Sequence, residues 1–177
     1  MVQSVELLLD DATDWAVREQ WRALAAASLP SQARHGGASN RPHVTLAVAD
    51  AMPDELDAPL AAAACVLPLP VRVGALVCFG HHRRVLARLV VPTRELLDLH
   101  ADVAAIVQGC PGPGRLLEPG QWTAHVTMAR NLRDDQLAAA LAALGRVVEL
   151  EGQVVSVRRW DGTRHTERLL SRPPPEQ

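Results

Sequence analysis

"RPHVTLAVA" at residues 41–49 and "TAHVTMARN" at residues 123–131 write His-Val-Thr-apolar-Ala twice in one chain. Both stretches read as strands, the first over 43–49 and the second over 122–129. Successive side chains on a strand point to opposite faces. His43 and Thr45 therefore share one face, and Val44 and Leu46 share the other. His125 and Thr127 stand in the same way against Val126 and Met128. Each strand offers an imidazole and a hydroxyl side by side, backed by an apolar face that anchors it in a core.

Outward from these stretches the chain reads as alternating strands and helices. A strand is expected over 2–9, and the "DDAT" that follows is a run of helix N-cap candidates before a helix over 15–27. The segment "SLPSQARHGGASNRP" is a polar loop. A second helix covers 54–64. Strands over 71–79 and 84–91 flank "GHHR", which sits where a hairpin turn belongs. Pro92 opens a helix over 93–108, as proline does at a helix start. An alanine-rich helix over 134–144 is closed by Gly145. Residues 147–160 form one strand or two, with Gly152 as a bulge or break. A last short strand lies at "HTERLLS", and the tail at 172–177 is expected to be disordered. Strand, helix, strand, helix, strand thus occurs twice, once around each His-Val-Thr strand, which suggests an α+β fold of antiparallel sheets.

The bulk numbers fit that reading. The chain has 177 residues, 48% of them apolar, which suits one domain over 1–177, made of two small lobes around a shared core. The net charge of −2 leaves no global basic footprint for long nucleic acid. Local arginines could still hold a small anion or the end of an RNA. The three cysteines, Cys65, Cys78 and Cys110, are widely spaced, and they are expected to be reduced and buried. No zinc-ligand pattern is visible. The start, "MVQSVELLLDD", lacks a basic n-region, and no apolar run approaches the roughly 20 residues of a membrane span. A cytoplasmic protein with no membrane contact is expected, and nothing signals an oligomer, so a monomer is the expectation. The glycines of "GCPGPGRLLEPG" are not followed by GKS or GKT, so no ATP site and no cofactor are expected.

Two histidines facing each other across a cleft suit acid-base work, because an unperturbed imidazole titrates at about pH 6.5. One can act as general base on water or a ribose hydroxyl while the other protonates the leaving oxygen. The threonine hydroxyls can donate to phosphate oxygens. That set fits phosphodiester chemistry without a metal.

At these residues the sequence resembles the 2H phosphoesterase superfamily, which is named for two His-x-Thr/Ser-apolar motifs. "HVTL" and "HVTM" both fit. The similarity is greatest to the bacterial 2′-5′ RNA ligase-like, or cyclic phosphodiesterase, branch. It extends to "WRALAAASLPS", "FGHHRRVLARLVVPTRELLDLH" and "QWTAHVTMAR". The resemblance implies a bilobal, internally duplicated α+β fold: two antiparallel sheets form a central cleft, with helices on the outside. It implies His43 and His125 as the acid-base pair and Thr45 and Thr127 as phosphate ligands. It implies opening of 2′,3′-cyclic phosphates of nucleotides, RNA ends or related metabolites, commonly to 2′-phosphates. Arg130, which follows the second motif, becomes a candidate phosphate contact.

Arg130 differs in side-chain parity from Thr127, so it reaches the cleft only if the strand ends or bends there. Arg41 lies on the histidine face by alternation and is a further candidate. The chain has no tyrosine and one phenylalanine, so a base-stacking platform must come from Phe79 or a tryptophan. Trp15 and Trp21 read as core, and Trp122 as packing. Trp160, followed by the turn signal "DGT", is placed to border the cleft. His81 and His82 read as a solvated basic turn, and His35, His100 and His165 as structural or exposed. Three other readings stand beside the hydrolase. One is an enzyme that joins RNA ends through 2′-5′ linkages, and one is a nucleotide or RNA-end binding module with little turnover. The third is a structural domain carrying chance copies of the motif.

Overall fold

The computed structural model describes residues 2–37, 39–112 and 118–170, so the expected tail at 172–177 lies outside the described residues. β1 (Gln3–Leu9) passes through Asp10 directly into α1 (Asp11–Ala26). Asp10 is the N-cap: its carboxylate accepts from the backbone N–H of Thr13 at 2.9 Å and from that of Gln153. The helix therefore begins four residues before the expected position. β2 (His43–Ala49) follows, then α2 (Asp57–Ala63), which is flanked by single 3-10 turns. The hairpin strands β3 (Leu69–Phe79) and β4 (Arg84–Val90) precede α3 (Arg94–Val107). β5 (His125–Leu132), α4 (Asp134–Leu144), β6 (Leu150–Asp161) and β7 (Thr166–Leu169) complete the order. β5 starts three residues later than expected and runs three residues further, so Arg130 lies inside the strand.

Among the described residues, all seven strands belong to one antiparallel sheet in the order β1-β2-β5-β4-β3-β6-β7, and β1 also pairs with β6. Six strands thereby close into a ring. The α+β class and the antiparallel pairing are as expected. Two separate sheets were expected, but the strands on each side are linked. β3 joins β6 over Leu69–Val73, and β2 meets β5 at one pair, Val44 with Val126. β6 is continuous through Gly152, and its irregularity against β1 falls at Val155, between the pairs Leu8–Ser156 and Leu9–Val154.

Gly152 has a different task from the expected break. It is where the first turn of α1 rests on β6. A Cβ there would lie 2.7 Å from Asp10 Oδ2 and would overlap the Thr13 hydroxyl. Both groups are committed to the N-cap, so neither can swing aside freely. Gly152→Ala is expected to lower unfolding free energy by about 1–3 kcal/mol. A urea titration checks this; an unchanged midpoint would show that the cap relaxes without cost.

The duplication is visible in the strand register. Leu8, Leu7 and Glu6 of β1 pair with His43, Val44 and Thr45, while Leu89, Arg88 and Ala87 of β4 pair with His125, Val126 and Thr127. The next pairs are Val5 with Ala47 and Leu86 with Ala129, so Leu46 and Met128 are each the extra residue of a β-bulge. Val44 and Val126, the equivalent residues of the two repeats, pair with each other. A twofold relation between halves requires that. His-Val-Thr-apolar-Ala thus encodes a strand that carries two polar side chains and then bulges.

One hydrophobic cluster underlies the sheet. It joins Val44, Leu46, Val126 and Met128 to Val17, Trp21 and Leu24 of α1 and to Leu96, Leu99 and Val103 of α3. Trp21 is core, as expected. Trp15 is not; it is 61% exposed, because the buried face of α1 runs through positions 17, 21 and 24. The cysteines are not buried either: Cys65 and Cys78 are exposed and Cys110 is half-buried. No helix of the described residues is long and apolar enough to cross a membrane.

Candidate functional site

The two motif strands meet side by side at Val44–Val126. One step either side of that pair, antiparallel geometry sets His43 across from Thr127 and His125 across from Thr45. The histidines feel each other, since the charge of His43 is one of the influences on the titration of His125.

Each imidazole is held in the same way. His43 Nδ1 bonds the carbonyl of Arg41 at 2.8 Å, and His125 Nδ1 bonds the carbonyl of Thr123 at 2.7 Å. A carbonyl only accepts, so Nδ1 carries the proton in both rings. Nε2 is left as the working nitrogen of each. The threonines are held symmetrically too. The indole N–H of Trp122 donates to the Thr45 carbonyl at 2.9 Å, and that of Trp21 to the Thr127 carbonyl at 3.0 Å. These carbonyls stand at the two bulges, where the ladder is interrupted. Trp122 is itself stacked on His100, with ring centroids 4.0 Å apart. The tryptophans expected to be packing residues thus also fix the backbone beneath the candidate site.

The surroundings of the two rings differ. Phe79 packs on His125, with ring centroids 4.9 Å apart. Burial pushes the His125 titration below its ordinary 6.5; the Thr123 carbonyl opposes this, and the charges of Arg130 and His43 add to it. The charge of Arg130 is therefore felt at His125. The bulge at Met128 explains how: it shifts the parity of the strand, sends Ala129 into the core and returns Arg130 to the face of Thr127. Arg41 is placed otherwise. Its Nε lies 3.5 Å from Asp14 of α1, and its contribution at His43 is through its backbone carbonyl.

His43 faces a carboxylate that sequence reasoning did not single out. Glu6 Oε1 lies 3.7 Å from His43 Nε2, and Glu6 itself is held by Arg158 at 2.8 Å and by the Ser4 hydroxyl at 2.6 Å. Beside them is a cavity of about 690 Å³, lined by Glu6, Asn40, His43, Trp160, His165 and His35 among others. Trp160 and His165 form its aromatic wall, with centroids 6.1 Å apart. The turn signal after Trp160 pointed to this wall, whereas His35 and His165 carried no signal. His81 and His82 are solvent-exposed in the β3–β4 turn. Among the described residues, no group of three or more His, Cys, Asp or Glu is placed to hold a metal ion.

The site gathers two histidines whose Nε2 atoms point away from their backbone anchors, that of His43 toward Glu6, with two hydroxyls and an arginine, which is a set able to move protons around an anionic phosphorus centre. The family model of the 2′-5′ RNA ligase superfamily matches residues 12–166. No curated protein sequence matches the chain. Solved structures share the fold. TT0787 of Thermus thermophilus is 18% identical, with 96% of this chain and 95% of that one covered and a TM-score of 0.57. E. coli LigT complexed with 3′-AMP is 16% identical over 97% and 94%, with a TM-score of 0.56. Kluyveromyces marxianus Usb1 with uridine monophosphate is 16% identical over 98% of both chains, with a TM-score of 0.53.

Proposed function

The chain belongs to the 2′-5′ RNA ligase superfamily, the 2H phosphoesterases, and on that premise we propose that it opens 2′,3′-cyclic phosphates of nucleotides, RNA ends or related nucleotide metabolites. The reaction is carried by His43 and His125 without a metal, in a single bilobal domain over 1–177. The observation behind this reading is the paired anchoring of the imidazoles, each with Nδ1 on a backbone carbonyl and Nε2 left for chemistry.

One histidine takes a proton from water, whose oxygen attacks phosphorus. The bond from phosphorus to one ribose oxygen breaks, and the other histidine gives that oxygen its proton. The product is a 2′- or 3′-phosphate, and the two histidines have exchanged protonation states. Thr45 and Thr127 donate to the non-bridging oxygens, and Arg130 offsets their charge. Phe79 borders the phosphate side as the ring against His125. Arg41 contributes by orienting His43. The cavity walled by Trp160 gives room for the nucleoside. Usb1 and LigT, solved with uridine monophosphate and 3′-AMP, hold ligands of that class.

The test is incubation with the four 2′,3′-cyclic nucleotides and with an RNA ending in a cyclic phosphate, in EDTA. Turnover with a bell-shaped pH profile is expected, and resolving the product gives the direction of opening. Strict dependence on a divalent ion would overturn the mechanism. Tight product binding without turnover would favour a binding module. Joining of RNA ends with salt-sensitive affinity would favour an RNA 2′-5′ end-joining enzyme.

A further inference from the structure

The two motifs are equivalent in sequence, in strand register and in the anchoring of their rings, yet acid-base catalysis needs them unequal. One must start neutral and the other protonated. The register shows where the halves part company. The position opposite Thr45 is Glu6, and the position opposite Thr127 is Ala87. Only the first half places a carboxylate under its histidine.

Building on the acid-base reading above, we propose that Glu6 is the positioning residue that makes the site directional: its buried carboxylate, clamped by Arg158, holds His43 as the proton donor and leaves His125 as the proton acceptor. Glu6 is 4% exposed, so its charge is poorly screened by water. The clamp fixes its aim. Arg158 is itself 3% exposed, donates to Glu6 through Nε, and spends Nη1 on the carbonyl of Ser39 and on Glu167. The Ser4 hydroxyl supplies a further donor. An ionised carboxylate beside an imidazole favours the imidazolium form.

Every charge around His43 fits this assignment. From β1 there is Glu6, and from β6 and β7 there are Arg158 and Glu167, which are already paired with each other. From β5 there is His125. Arg41, next in the chain, is drawn off toward Asp14. His35 and His165 line the same cavity. On the other half, Arg130 is the charged neighbour of His125, and a cation there favours the neutral ring. Burial works to raise the titration of Glu6, but the charges of His43 and Arg158 and the hydrogen bonds from Ser4 and Arg158 outweigh it and hold it below 4.5. The carboxylate is therefore present throughout the working pH range.

An NMR titration reads the rings directly and needs no substrate. The histidine ring protons of the full chain are titrated by NMR, with His43→Ala and His125→Ala spectra giving the assignments. His125 is expected to titrate at the lower pH of the pair. In Glu6→Gln the separation should shrink, and Glu6→Asp should restore part of it. Glu6→Gln strands Arg158, so Glu6→Gln/Arg158→Met serves as the second variant, in which both buried charges are gone. On a turned-over substrate the alkaline limb of kcat/KM should move to lower pH in both neutral variants. An unchanged separation in both neutral variants would overturn the proposal. A separation that collapses in a protein inactive on every cyclic phosphate would leave Glu6 its electrostatic role and overturn the reaction assigned above.

Discussion

His43→Ala and His125→Ala are each expected to lower kcat/KM on a cyclic-phosphate substrate by about 10²- to 10⁴-fold. The double variant should fall little further than the worse single one, because the two groups act in one proton relay and their losses do not add. The structure argues for both effects without a loss of fold. Each imidazole is half-buried, and its one backbone bond is to a neighbour two residues away. Removing it leaves a strand still tied by its ladder, its bulge and a tryptophan. The pH dependence follows with its sign. His125 titrates below 6.5, so its neutral, proton-accepting form persists below that pH, and the acid limb of kcat/KM should lie on the acid side of 6.5. Arg130→Ala removes one of the cations that depress it, so the limb should move up toward 6.5 while phosphate binding weakens. Steady-state rates across pH 4–9, with circular dichroism to confirm folding, check all of this. A single histidine variant that retains wild-type kcat/KM would remove the paired mechanism.

Much of the geometry of this candidate site was legible because it is set locally. The alternation within "HVTLA" and "HVTMA" gives which side chains share a face, and the second copy gives the partner. The bulges were not legible. Neither contains glycine or proline, and each arises because the neighbouring strand has one residue fewer over the same span. Arg130 could therefore be placed only conditionally. Glu6 reads, in the sequence, as the polar side of an alternating strand. The sheet instead covers β1 on both edges, and the cation that makes its burial tolerable is Arg158, at the other end of the chain. No window of neighbouring residues encodes that pairing. Trp15 failed for a local reason: its spacing to Trp21 is six, one short of two helical turns, and that turns it away from the buried stripe.

The largest stability effect is expected at a second place where the halves differ. In the duplicated register Leu7 pairs with Val44, but the residue paired with Val126 is Arg88, which is 0% exposed. An arginine in the core calls for acceptors, and the fold supplies them. The β3–β4 register slips between Val73 and Leu76, freeing carbonyls on β3. Arg88 takes those of Gly74 and Val73 at 2.6 Å each, that of Val148 at 2.7 Å, and the side-chain oxygen of Gln20 at 3.0 Å. Burial pulls its titration below the arginine norm, and the charge of Glu149 opposes that, so the guanidinium remains charged at any working pH. Arg88→Met fills similar space but leaves three carbonyls without their donor. The expected loss is about 3–5 kcal/mol, a large share of the roughly 5–15 kcal/mol typical of a domain. Arg88→Lys should fall between, because an ammonium reaches fewer of the spread acceptors than the planar fork. Urea unfolding of the three proteins measures it. A methionine variant within about 1 kcal/mol of wild type would mean that β3 re-forms its ladder once the arginine is gone, and that the slip in β3 is a consequence of Arg88 rather than the feature it serves.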